Sequence, residues 1–170
     1  MIRLAPLAAA LVVAACAALP PAPIALDGLP EAFEMAGRLS VAQAGRGEIV
    51  RIRWRHGPAA DAWVLATLVG TEVARIERES GGLVLHRPGA AGLEAASLAE
   101  LTENLLGAAL DERLLVAWLH RRPVAGPGGW AVTIDESQRF GASEVARRVT
   151  AVRGEVTVKL VVDDYRAQPE

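Results

Sequence analysis

A period of two in Ile49-Val50-Arg51-Ile52-Arg53-Trp54-Arg55-His56 constrains this chain more than any other feature. Val50, Ile52 and Trp54 fall on one side and Arg51, Arg53 and Arg55 on the other. Successive side chains of an extended chain point to opposite faces, so the segment reads as a strand with one buried and one wet face. The same period runs through Met35, Gly37, Leu39 and Val41, with Arg38 and Ser40 opposite. Gly57-Pro58 and the small residues up to Asp61 read as a turn. After it, Trp63, Leu65 and Thr67 alternate with Val64, Ala66 and Leu68, a strand that is apolar on both faces. Further strands are expected at 71–78, 83–87, 130–134, 145–152 and 155–162.

Between the two groups of strands the period changes to that of a helix. Ser97 and Glu100 form a capping box ahead of Leu98, Leu101, Leu105 and Leu106, which share one helical face, and Gly107 can end that helix. A second helix starts near Asp111 and carries Leu114, Leu115, Trp118 and Leu119, until Pro123 forbids its continuation. Strands before and after one short helical insert give an α+β fold, an antiparallel sheet curled around, or covered by, two amphipathic helices.

The N-terminus has a separate logic. Arg3 leads into an apolar run, Leu4 to Val13, that stops at Ala14-Ala15-Cys16. A charged start, a short apolar stretch and small residues at the cut describe a secretory signal, and the run is too short to span a bilayer. Val13-Ala14-Ala15-Cys16 resembles the lipobox of bacterial lipoproteins, in which Cys16 becomes the lipid-modified mature N-terminus. Cys16 is the only cysteine, so acylation also removes an unpaired thiol from an oxidising compartment. The expected organisation is a signal peptide over 1–15, a lipidated N-terminus and tether over 16–32 with Pro20, Pro21, Pro23 and Pro30, and one domain over 33–170. Ala17 in place of aspartate resembles the sorting pattern for the outer membrane.

Composition excludes more than it assigns. With 18 basic and 20 acidic residues the chain has a net charge of -2 and no electrostatic footprint for nucleic acid. His56, His86 and His120 lack metal-ligand spacing, and no metal site is expected. Gly126-Pro127-Gly128-Gly129 reads as a turn, because it lacks the Lys-Ser/Thr ending of a phosphate loop. No nucleophile elbow surrounds Ser40, Ser80, Ser97, Ser137 or Ser143. The reading is therefore of a protein without cofactor and without enzymatic chemistry. Glu77, Glu79 and Asp163-Asp164 read as solvated surface. Arg51, Arg53 and Arg55 form a basic ridge, either a solvated strand face or a docking side for an acidic surface or lipid headgroups.

Several motifs, in order along the mature chain, resemble the LolB family of outer-membrane lipoprotein receptors. Gly37-Arg38-Leu39-Ser40-Val41 is similar to the family's opening strand, and Arg53-Trp54 to the end of its second. Leu65-Ala66-Thr67-Leu68-Val69-Gly70-Thr71-Glu72-Val73 resembles the segment where two strands are joined by a loop with an apolar tip. Leu105-Leu106-Gly107 followed by Leu114 to Trp118-Leu119 resembles the helical region. The tip lacks the family's usual proline, so either Leu68 or Val69 corresponds to its exposed leucine, and Tyr165 stands where a late tryptophan is common. The resemblance implies an incomplete antiparallel β-barrel with helices as a lid over a hydrophobic cavity. Trp54, Trp63, Leu101, Leu105, Leu114, Leu115, Trp118 and Leu119 would line that cavity or its lid, although the tryptophans read as ordinary core on their pattern alone. Leu68 and Val69 would enter the membrane. The implied protein is an outer-membrane-anchored monomer facing the periplasm. It would accept mature lipoproteins from the periplasmic carrier LolA, shelter their acyl chains and release them into outer-membrane phospholipid. The alternative is a passive lipid-binding or envelope-assembly lipoprotein of similar fold.

Overall fold

The structure, a computed structural model, describes residues 29–58, 60–79, 82–106, 109–122 and 129–168, without the side chains of Leu105 and Leu106. The expected signal peptide, Cys16, the expected tether up to residue 28, Ser80, Gly107, Pro123, the expected turn at 126–128 and the Leu105 side chain therefore lie outside the described residues.

Alternation does produce strands. β1 (Phe33–Gln43), β2 (Arg46–His56), β3 (Ala62–Ala66), β4 (Glu72–Glu79), β5 (Gly82–His86) and β6 (Leu93–Ala95) precede α1 (Leu98–Leu106) and α2 (Glu112–Leu119). β7 (Ala131–Phe140), β8 (Ser143–Arg153) and β9 (Val156–Ala167) follow. All nine strands form one antiparallel sheet in the order β6-β5-β4-β3-β2-β1-β9-β8-β7. Each neighbouring pair is consecutive in the chain except β1 and β9, which bring the two ends of the domain together. The edges, β6 and β7, do not pair with each other, and the helices make the connection between them. The sheet curls without closing.

The curl is visible in the core. Phe33, Met35, Trp54, Trp63, Ile76, Leu83 and Leu85 from one half of the sheet share a single cluster with Val149, Val158, Leu160 and Val162 from the other. Leu98, Leu101, Leu114, Leu115, Trp118 and Leu119 complete that cluster from the helices. A flat sheet would hold its distant strands too far apart for one cluster.

Several boundaries differ from the sequence reading, three of them for reasons visible in the fold. β3 stops at Ala66, because Thr67 and Leu68 are taken into a tight turn in which the Thr67 N–H donates to the Thr71 carbonyl (2.8 Å) and the Gly70 N–H to the Thr67 carbonyl (2.9 Å). β7 continues to Phe140, past the expected end at 134, since register shifts between Ile134 and Glu136 and between Glu136 and Ser137 break its apolar period without ending its pairing. β9 likewise runs on to Ala167 through the acidic pair Asp163-Asp164. Short β6 was not expected; its three residues give too little pattern to read.

The register shift at Ala36/Gly37 explains both the acidic stretch and the glycine. β1 pairs Ala36 with Asp164 and Gly37 with Val162, which leaves Asp163 as the extra residue of a bulge. Arg38 holds it by two hydrogen bonds, of 3.2 and 2.9 Å. At Gly37 the strands approach so closely that a Cβ would lie 2.1 Å from the Val161 carbonyl oxygen. Gly37→Ala is expected to lower stability by about 1–3 kcal/mol through enforced backbone displacement. Gly47→Ala, whose Cβ would meet nothing closer than 3.5 Å, is the control expected to be near neutral. Urea midpoints of the two variants check this.

Candidate functional site

The helices sit where the sheet leaves a gap. The start of α1 is capped twice, as the Glu100 N–H donates to Ser97 Oγ (3.2 Å) and Glu100 Oε2 accepts the Ala96 N–H (2.9 Å). The returning bond lands one residue earlier than in the standard capping box. Buried Thr102 then joins the helices: its hydroxyl donates to the Leu98 carbonyl (2.8 Å) and accepts the Leu110 N–H (2.7 Å). Asp111 caps α2 by accepting the Arg113 N–H at 2.8 Å. Leu98 and Leu101 of α1 and Leu114, Leu115, Trp118 and Leu119 of α2 lie in the core, where Trp118 meets Trp130 edge to face at 5.9 Å. Trp54 and Trp63 stack at 5.8 Å in the same cluster. The expected cavity and lid residues whose side chains are described thus come together, with Trp54, Trp63, Trp118, Leu101 and Leu119 fully buried.

One polar cluster ties α2 to the sheet, and the sequence reading missed its centre. Asp61, read as the end of a turn, is only 4% exposed. Its Oδ1 accepts from the Trp54 indole N–H (3.0 Å) and lies 2.7 Å from His56 Nδ1. Arg78 on β4 bridges Asp61 Oδ2, at 3.5 Å, and Glu112 of α2. His56, Asp61 and Glu112 offer ligand atoms within 4.8 Å of one another, a grouping that linear spacing did not reveal. The Arg78 guanidinium supplies the positive charge between the two carboxylates. Burial opposes ionisation of Asp61, yet hydrogen bonds from His56 and Trp54 outweigh it and hold the carboxyl below the usual range. Glu112 shifts upward, through burial and then the charge of Asp61. An acid just beyond a strand that ends in Arg-His was the one available sequence signal.

At the end of the sheet that carries the β3–β4 turn, the environment is the reverse. Val69 is 89% exposed and Leu68 56%, although the turn that presents them is hydrogen bonded and Gly70 takes the left-handed conformation (φ +97°) that it requires. Both candidates for the apolar tip therefore project into solvent, Val69 further. Arg51, Arg53 and Arg55 are exposed on the outer face of β2, while Glu77, Glu79 and Asp163 also lie at the surface, as expected.

A family model described as Outer membrane lipoprotein LolB matches residues 31–139. The outer-membrane lipoprotein LolB of Thiobacillus denitrificans is 31% identical, with 91% of each chain covered. The chain belongs to the LolB family. LolB of Chromobacterium violaceum is 28% identical over 84% of this chain and 85% of its own. Among solved structures, a DUF1329 family protein from Desulfovibrio piger shares the fold with a TM-score of 0.58 at 6% identity, covering 84% of this chain and 88% of that one. Within the LolB family fold, Tyr165 packs among Phe33, Phe140 and His120, with its hydroxyl 3.0 Å from His120 Nε2.

This aromatic group gives the fold a pH signature. Burial, then the charges of Arg122 and His56, lower His120 from 6.5 to about 4. Between those values an unfolded chain takes up a proton that the folded chain refuses, so stability falls as pH drops from 6.5 towards 4. The raised Glu112 acts with the opposite sign and offsets part of that fall. His120→Gln is expected to flatten the decline by about 2 kcal/mol. Urea titrations at a series of pH values check it.

Proposed function

We propose that this chain is an outer-membrane lipoprotein, anchored through Cys16 and facing the periplasm, that accepts mature lipoproteins from the periplasmic carrier LolA and inserts them into the membrane. It works as a monomer and performs no covalent chemistry. The observation that carries the reading is the β3–β4 turn, which holds two large apolar side chains in water at a fixed place on the domain. A passive lipid binder has no use for such a turn, and exposing it costs solubility.

In this reading α1 and α2 form a lid. Trp54 and Trp63 on the sheet and Leu101, Leu105, Leu114, Leu115, Trp118 and Leu119 on the helices provide apolar walls between which acyl chains enter when the helices move outward. The surface they present matches a lipid tail in polarity, so an acyl chain replaces side-chain contacts at little net cost. Leu68 and Val69 then enter the acyl boundary of the inner leaflet and open a path for release. Burying one such side chain contributes about 1.5–3 kcal/mol, enough to bias an encounter but too little to anchor the protein. Each buried methylene of a lipid on Cys16 adds about 0.8 kcal/mol, which leaves the anchoring to that residue.

Replacing both Leu68 and Val69 by glutamate is expected to leave folding and fluorescent fatty-acid binding intact, because both side chains are exposed and lie away from the core. Delivery of a labelled lipoprotein to outer-membrane vesicles should fall at least ten-fold, equivalent to about 1.4 kcal/mol or more of lost membrane interaction. Normal delivery by the double variant would sink the role given to the turn.

A further inference from the structure

Exposed apolar side chains are not scattered over this domain. Of the six large ones among the described residues, Ile49, Leu68, Val69, Val73 and Val152 all lie at one end of the sheet. The pairing places them there: Ile49 is opposite Ser40, itself opposite Lys159, Val152 is opposite Thr157, and Val73 follows Glu72, which is opposite Ala66. That end carries the β1–β2, β3–β4 and β8–β9 turns.

Cations stand directly behind the apolar end. Arg51 pairs with Ala66, the last residue before the β3–β4 turn, and on its other side faces Arg38 across the β1–β2 ladder. Two like charges directly opposite in a sheet are destabilising. Arg38 is answered by Asp163. The floor beside Arg51 is made of small side chains, Ala36, Gly37, Val64 and Ala66, which leaves a trough of about 420 Å³ running from Gly70 in the turn to Arg53. Two acids line it, but Asp163 is held by Arg38 and Glu72 by Arg75. Glu48 and Glu155 also lie at this end, and Arg46 and Lys159 offset them.

From this arrangement we infer that Arg51, with Arg53 behind it, is a headgroup site for anionic phospholipid, set to engage lipid phosphates when Leu68 and Val69 are in the acyl boundary. The inference rests on the membrane role given to the turn under Proposed function. Depth orders the three arginines of the ridge. At about 3.4 Å per residue, Arg53 lies about 7 Å and Arg55 about 14 Å further from the turn than Arg51. The headgroup layer is about 5–8 Å thick on each side of a bilayer, so Arg51 falls within it, Arg53 at its outer margin and Arg55 beyond. An acidic protein partner lying along the ridge would instead meet all three.

The test uses the mature chain with Cys16→Ser, so that no acyl anchor masks weaker contacts, and measures co-sedimentation with vesicles of phosphatidylcholine alone or mixed with phosphatidylglycerol. Binding should be tighter to the mixed vesicles and weaken with added salt. Arg51→Gln should lower partitioning onto the mixed vesicles about five-fold, Arg53→Gln less, and Arg55→Gln hardly at all. Arg51→Lys, which keeps the charge, should retain most of it, and an unchanged thermal midpoint shows that Arg51→Gln still folds. Leu68→Glu with Val69→Glu should reduce binding to both kinds of vesicle. If that double variant binds as before while Arg51→Gln loses its preference for phosphatidylglycerol, the turn's role fails and the headgroup site stands. If Arg51→Gln binds mixed vesicles as the parent does, or if the three glutamine variants lose binding equally, the headgroup site is overturned, and the equal loss points to diffuse attraction of the whole ridge to anionic lipid with no seated headgroup.

Discussion

Packing of the α1–α2 apolar face against the concave side of an unclosed sheet is the interaction on which the rest of this structure depends. β6 and β7 are edges, and the elements described between them are the two helices. Without Leu101, Leu114, Trp118 and Leu119 in the shared cluster, the inward faces of Trp54, Trp63, Leu85 and Val149 would be open to water. A closed barrel would seal its own interior with backbone hydrogen bonds. Here the seal is made by side chains of two short helices, which can separate from the sheet without breaking a ladder.

Charged pairs tie that seal at several points, most densely at the start of α2. Glu112 at the start of α2 reaches Arg78 on β4, and Arg78 reaches Asp61, which also gathers Trp54 and His56. The groups are mutually satisfying, since a buried carboxylate is costly unless donors surround it. The C-terminal end of α2 rests on rings, Trp118 against Trp130 and His120 near Phe33 and Tyr165, and is also tied by polar contacts, His120 to the Tyr165 hydroxyl and Arg121 to Glu144 of β8.

Much of this was legible in the sequence where one physical rule acted alone. The alternation in 49–56 became β2 because one face is core and the other solvent, and Ser97 and Asp111 capped helices where their side chains could accept backbone N–H groups. Legibility failed where a second rule intervened. The bulges in β7 and β9 interrupt the period without interrupting the pairing, so both strands are longer than their apolar pattern. The Asp61 cluster is assembled from β2, the turn after it, β4 and α2, and residues so far apart in the chain leave no spacing to read. The apolar turn was recognisable only by its likeness to a family, because Leu68 and Val69 finish a hydrophobic stretch equally well as core. Their exposure had to come from the fold.

The central claim is that this domain receives lipoproteins from a carrier. Its most direct test mixes a carrier loaded with a labelled lipoprotein with this protein lacking residues 1–16, and follows where the label goes. The label is expected to move onto this protein in a soluble complex before any membrane is added. Retention of the label on the carrier, with free fatty acid still bound by the domain, would contradict it and leave a passive lipid-binding lipoprotein in its place.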